Sequence, residues 1–217
     1  MAKVLVTDTN LENIADAIRT KTGGSDTYKP SQMASAINNI STKLVLPSSG
    51  IAFGNSGSSA LNTVFPNIDT SQVVRFDNFF KIGSISSSSF NSVPLFDTSN
   101  GKYFYSMFYN QSYLTEIPEY NTSKGEDFRC MFQNCSRLET IPILDLSKAT
   151  YMGDMFKSCQ ALSNTSLNNI LYMLANATSY AGTKTLAEVG LSSEQATTCT
   201  GLSNYSAFTT AGWSTGY

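Results

Sequence analysis

Five tyrosines crowd one short stretch of the chain, at Tyr103, Tyr105, Tyr109, Tyr113 and Tyr120, with Glu116 among them. A tyrosine on a surface offers a broad apolar ring with a polar tip, which suits stacking on a sugar face or packing against a protein. The positions 24 residues further on are polar or small: Tyr109 matches Gln133 and Lys157, and Tyr113 matches Arg137 and Ala161. That matching predicts that Tyr109 and Tyr113 are exposed. Tyr103, Tyr105, Tyr109, Tyr113, Glu116 and Tyr120 are therefore the candidate recognition residues. They could serve ligand binding, contact between subunits, or only the ordinary surface of a repeat protein.

Catalytic chemistry finds less support. The 217 residues contain no histidine, which removes the commonest general base, Ser-His-Asp and Cys-His nucleophile systems, and histidine metal sites. Glu116 with Glu119, or Glu126 with Asp127, are carboxylate pairs by sequence proximity only. Glycoside cleavage needs two carboxylates at a set separation across a cleft. The expectation is a protein that is not an enzyme, with no cofactor and no metal. Four cysteines stand at 130, 135, 159 and 199. Cys130 and Cys135 lack the second pair that a zinc site wants. Cys135 and Cys159 lie 24 residues apart, which favours a column of small buried thiols, with a disulfide as the alternative.

The elements that position these residues come from a repeated phrase. Phe65-Pro66-Asn67-Ile68-Asp69-Thr70-Ser71, Val93-Pro94-Leu95-Phe96-Asp97-Thr98-Ser99, Ile117-Pro118-Glu119-Tyr120-Asn121-Thr122-Ser123 and Ile141-Pro142-Ile143-Leu144-Asp145-Leu146-Ser147 begin at intervals of 28, 24 and 24 residues. Seven residues past each Asp or Asn comes Phe76, Phe104, Phe128 or Met152. The first leads into Phe79-Phe80 and the others into Met107-Phe108, Met131-Phe132 and Met155-Phe156. Leu114, Leu138 and Leu162 follow. A fixed period in this range means a solenoid whose coils bury their apolar faces on their neighbours. The stretches Phe90–Pro94, Leu114–Pro118 and Leu138–Pro142 read as short strands. The i, i+3, i+4 spacing before each Met-Phe reads as a helical turn. Phe80, Phe108, Phe132 and Phe156 should form the main column of the core. The recurring Asp or Asn before Thr-Ser is best read as a turn former that bonds nearby amides. The longer first interval is expected to bulge between Gly83 and Ser89.

The predicted fold is thus an α/β repeat solenoid with coils of about 24 residues, which the resemblance given below makes leucine-rich-repeat-like. Four segments follow. Residues 1–42 read as two amphipathic helices for attachment or oligomerisation, the first capped at Thr9 or Asn10 and carrying Leu11, Ile14, Ala15 and Ile18. Residues 43–64 read as a linker or short strands, with Leu44-Val45-Leu46 the strand candidate. Residues 65–166 are the solenoid. Residues 167–217 are a cap, with one helix on Leu167, Ile170, Leu171 and Leu174 and another starting at Ser192 or Ser193.

Charged residues make up only 14% of the chain and the net charge is −2, against about 25% charged residues in ordinary soluble domains. With no basic run, a nucleic-acid partner is not expected. No segment reaches the roughly 20 apolar residues of a membrane span. The opening Met-Ala-Lys-Val-Leu-Val-Thr-Asp has too short an apolar run for a signal peptide.

The unit Phe128-Arg129-Cys130-Met131-Phe132-Gln133-Asn134-Cys135-Ser136-Arg137-Leu138, followed by Asp145-Leu146-Ser147, resembles the BspA-type leucine-rich repeats of bacterial surface proteins. The likeness covers about 100 residues. It implies a right-handed solenoid with a strand-lined face. The first repeat departs from it, with Phe79-Phe80 for Met-Phe and no cysteine. Leu11 through Gly23, then Met33-Ala34-Ser35-Ala36-Ile37, is similar to a segment near the start of tail and baseplate proteins of phages and prophages that mostly infect Gram-positive bacteria. Gly190 through Gln195, Leu202 through Tyr205 and Gly212-Trp213 resemble the close of such proteins. This likeness implies a virion component of the tail tip or baseplate, assembled in the host cytoplasm. Its partners would be a host cell-surface glycan or protein, other tail proteins and copies of itself. A bacterial surface adhesin is the alternative, and it would need an export signal.

Overall fold

The computed structural model describes residues 44, 45, 48, 68–81 and 92–217. The chain divides into a unit of residues 1–44 and a unit of residues 45–217. The expected N-terminal helices and the expected bulge at 83–89 lie outside the described residues.

The repeated Asp or Asn makes the turn that its chemistry suggests. Oδ1 of Asp69, Asp97, Asn121 and Asp145 accepts from the amide two residues on, at Ser71 (2.9 Å), Ser99 (2.8 Å), Ser123 (3.2 Å) and Ser147 (2.9 Å). The next residue ties one repeat to the following one. Thr70, Thr98 and Thr122 donate their hydroxyls to the carbonyls of Asp97, Asn121 and Asp145, at 2.8, 2.9 and 3.0 Å. The same short phrase therefore sets both the local turn and the register between repeats.

Beyond the phrase, the repeats pair through single parallel bridges. One column runs Arg75–Tyr103–Asp127–Tyr151, and a second bridge joins Glu116 to Thr140. Two columns of phenylalanine stack inside. Phe76, Phe104 and Phe128 stand 5.5 and 5.2 Å apart between ring centroids. Phe80, Phe108, Phe132 and Phe156 follow at 5.6, 5.5 and 5.7 Å, with rings within 15° of parallel. All seven rings are fully buried, and burying each contributes roughly 2–3 kcal/mol. The side column is polar but satisfied: Gln111, Cys135 and Cys159 donate to the carbonyls of Phe80, Phe108 and Phe132.

Two local expectations change. The Met-Phe stretches are successive tight turns, not helical ones. Asn78, Ser106, Cys130 and Asp154 have φ near +55°, and Asn110, Asn134 and Ser158 near +65°. A left-handed residue ends a helix. Here it aims the amide at the next repeat instead: Asn78 donates to Tyr105 O (2.9 Å), Ser106 to Arg129 O (3.0 Å) and Cys130 to Gly153 O (3.1 Å). The strand expected around Leu114–Pro118 shrinks to the one bridge at Glu116, because Pro118 and Pro142 donate no backbone bond.

At the N-terminal side, β1 (Leu44–Val45) pairs with β2 (Ile68–Asp69). Ser48 O accepts from the amides of Val74 and Arg75 at 2.9 and 3.2 Å. Val74 O accepts in the same way from Lys102 and Tyr103, and Lys102 O from Glu126 and Asp127. Ser48, read as linker, is thus one more rung of this backbone ladder.

The far end is closed by residues 163–217. Helix α1 (Asn164–Ala175) starts at Ser163, whose hydroxyl accepts from Ser166 N, and it buries Leu167, Ile170, Leu171 and Leu174 as expected. Its side chains take up the backbone groups that a further repeat would have paired. Ser166 Oγ donates to Glu139 O (2.7 Å) and accepts from Ile141 N (2.9 Å). Asn169 Nδ2 donates to Ile141 O (3.0 Å), and Leu144 N donates to Met173 Sδ (3.0 Å). Helix α2 (Ser193–Cys199) begins with a capping box between Ser192 and Gln195, the arrangement that Ser-x-x-Gln predicts. Gln195 Nε2 reaches Cys159 O at 2.7 Å. Asp154 and Phe156 donate to Glu188 O and Val189 O, both at 2.8 Å. Helix α3 (Tyr205–Thr210) then brings Phe208 against Trp213, which stacks on Tyr180 at 5.5 Å.

A candidate recognition surface of tyrosines and cations

Four of the six candidate residues share a physical setting. Each of Tyr103, Tyr105, Tyr109 and Tyr113 has a cation over its ring. Arg75 lies 4.5 Å from the Tyr103 centroid, Arg129 5.5 Å from Tyr105, Lys81 5.0 Å from Tyr109 and Arg137 4.5 Å from Tyr113. Such contacts are worth about 0.5–1 kcal/mol at exposed sites. They also hold each ring in a defined orientation. Tyr105 and Tyr113 are exposed, and Tyr103 and Tyr109 are half-buried. The expectation of exposure therefore fits Tyr113 fully and Tyr109 in part.

The other two separate from this row. Tyr120 is a core residue: it is 3% exposed, its ring lies 4.7 Å from Phe96, and its hydroxyl donates to Pro94 O at 2.8 Å. It leaves the candidate surface, because its position in the phrase faces inward, as Phe96 and Leu144 do. Glu116 is exposed but sits in the second bridge column, with Thr140.

Sequence reasoning missed the cations and Tyr151. Arg129 is the centre of the row. Its guanidinium also lies 4.8 Å from the ring of Tyr151, and it grips Asp127 through two bonds at 3.0 and 2.6 Å. The bond to Asp127 raises the Arg129 pKa, so the guanidinium stays charged. Arg75 pairs with Asp77. Burial raises the Asp77 pKa, and Arg75 works against that rise. The signal for these partners was present in the repeat offset: Arg75, Tyr103, Asp127 and Tyr151 occupy one aligned position, and Asp77, Tyr105 and Arg129 another.

Two of the four carboxylates weighed for catalysis are held in ion pairs, and Glu116 and Glu119 are exposed. Asp127 is bound to Arg129, and Glu126 accepts from Lys102 Nζ at 2.8 Å. Among the described residues no group of three or more His, Cys, Asp and Glu side chains could hold a metal ion. Among them, too, no helix is long and apolar enough to cross a membrane. All four cysteines are free thiols; Cys135, Cys159 and Cys199 are buried and Cys130 is half-buried.

A protein of stacked, sequence-repeated turns with an aromatic and cationic row is the class these features define. The chain belongs to the family described as Mycoplasma protein of unknown function, DUF285, whose model matches residues 51–170. That span takes in all four repeats and the start of α1. No curated protein and no solved structure matches the chain.

Proposed function

We propose that this chain is a recognition protein of a phage tail tip or baseplate, acting by binding and not by catalysis. In this reading, residues 65–166 are a leucine-rich-repeat-like solenoid that meets a host cell-surface glycan or protein. Residues 1–42 attach it to other tail proteins or to copies of itself. The observation that carries the binding role is the row of Tyr103, Tyr105, Tyr109 and Tyr113 under Arg75, Arg129, Lys81 and Arg137. Oriented aromatic rings present contact area at low entropic cost. The tail assignment rests on the likeness of the two ends of the sequence to tail and baseplate proteins.

A bacterial surface adhesin is the second reading. The likeness of its repeats to those of bacterial surface proteins is what supports it. Immunogold electron microscopy of a lysing culture of the source strain separates the two. Gold on tail tips is the expected result. Gold on cell envelopes, with bare particles on the same grid, would replace the tail reading with the adhesin.

A further inference from the structure

A groove of about 740 Å³ runs along the end of the stack. One wall is the turn of repeat 3 at 119–123 and the other turn is that of repeat 4 at 143–147; helix α1 closes the side with Tyr172 and Asn176. From these elements we infer that the groove between the Asn121 and Asp145 turns and Tyr172 is a binding site for a neutral saccharide. The inference deepens the recognition reading above and rests on it, adding a saccharide subsite beside the tyrosine row.

The chemistry is that of sugar recognition. Tyr172 is 45% exposed and Ile143 48% exposed, so the groove offers an aromatic face and an aliphatic one to the C–H side of a pyranose. Asn121 and Asp145 occupy equivalent places in adjacent repeats. Each commits Oδ1 to its own turn. Both line the groove, where an asparagine amide brings donor capacity and an aspartate carboxylate acceptor capacity in adjacent repeats. The wall is anchored: Asn176 Nδ2 donates to Tyr172 O at 2.8 Å, and Thr178 Oγ1 to Ser147 O at 3.3 Å. Preorganised groups of this kind reduce the entropic cost of binding.

Charge selects within that class. The lining includes the carboxylates of Glu119 and Asp145 and no lysine or arginine. Anionic sugars and phosphorylated polymers would meet repulsion there. A neutral glycan would not.

Saturation-transfer NMR on the full chain tests this with maltotriose, lactose and di-N-acetylchitobiose as probes and sialyllactose as the anionic comparator. Transfer to the ring protons of at least one neutral probe is expected, and none to sialyllactose. Tyr172→Ala should weaken that binding about tenfold. Asp145→Asn should weaken it about tenfold as well, and it keeps the turn, because asparagine already makes the same turn at 121. Binding by none of the neutral probes overturns the inference, as does binding that both variants leave unchanged. Loss of saccharide binding in Tyr109→Ser/Tyr113→Ser alone would place the ligand on the tyrosine row, overturning the groove while leaving the recognition reading intact. Envelope or tail labelling reports on that reading independently.

Discussion

The thiol of Cys159 donates to the carbonyl of Phe132, one repeat upstream, at 3.0 Å. Burial pushes the Cys159 pKa from its ordinary 9.0 up to about 12. The native state therefore holds this proton more tightly than the unfolded chain does. The resulting stabilisation is complete below about pH 9 and is lost as the pH rises toward 12. Urea midpoints should fall between pH 8.5 and pH 11, and Cys159→Ala should flatten that fall. Cys135 and Cys199, also raised by burial, add to the same trend. A wild-type midpoint that stays level across this range would contradict the buried thiol column.

Phe132 sits between Phe108 and Phe156 in the inner column and is fully buried. Replacement by alanine removes both stacking contacts and leaves a cavity. The cost should be about 3–5 kcal/mol, read from denaturant unfolding. A Phe132→Ala curve lying on the wild-type curve would refute the stacking.

Ser166 in α1 stands in for a missing repeat by serving both Glu139 O and Ile141 N. It is 1% exposed. Ser166→Ala leaves a buried amide without that partner, which should cost about 1–3 kcal/mol. Hydrogen exchange should speed up at Ile141 ahead of the inner column. Equal protection in both proteins would show that the edge of repeat 4 does not depend on α1.

Tyr109 and Tyr113 face solvent in different degrees and rest against Lys81 and Arg137. Converting both to serine removes two contacts of about 0.5–1 kcal/mol each, so melting should shift only slightly. Adsorption of the protein to host cells should drop severalfold if the row binds the cell surface. Unaltered adsorption with intact folding would remove these two tyrosines from the recognition surface.

The sequence by itself determined the register of the repeats. The Asp/Asn turns, the Phe80–Phe156 column, the paired positions of Cys135 and Cys159, the apolar face of α1 and the start of α2 were all legible in it. Each follows from local chemistry or from a fixed period, and both survive in one dimension. Tertiary structure decided the rest. An i, i+3, i+4 spacing before Met-Phe serves a helix and a pair of tight turns equally well. The choice falls to the amides of Ser106 and Cys130, which find carbonyls a full repeat away at Arg129 and Gly153. Tyr120 reads as one tyrosine among five until its position in the phrase is seen to face Phe96. The groove at Tyr172 exists only because α1, outside the repeats, folds back along the edge of repeat 4. Spacing reports which side chains share a face; it does not report which distant backbone group each amide will meet, and here those distant partners set the shape.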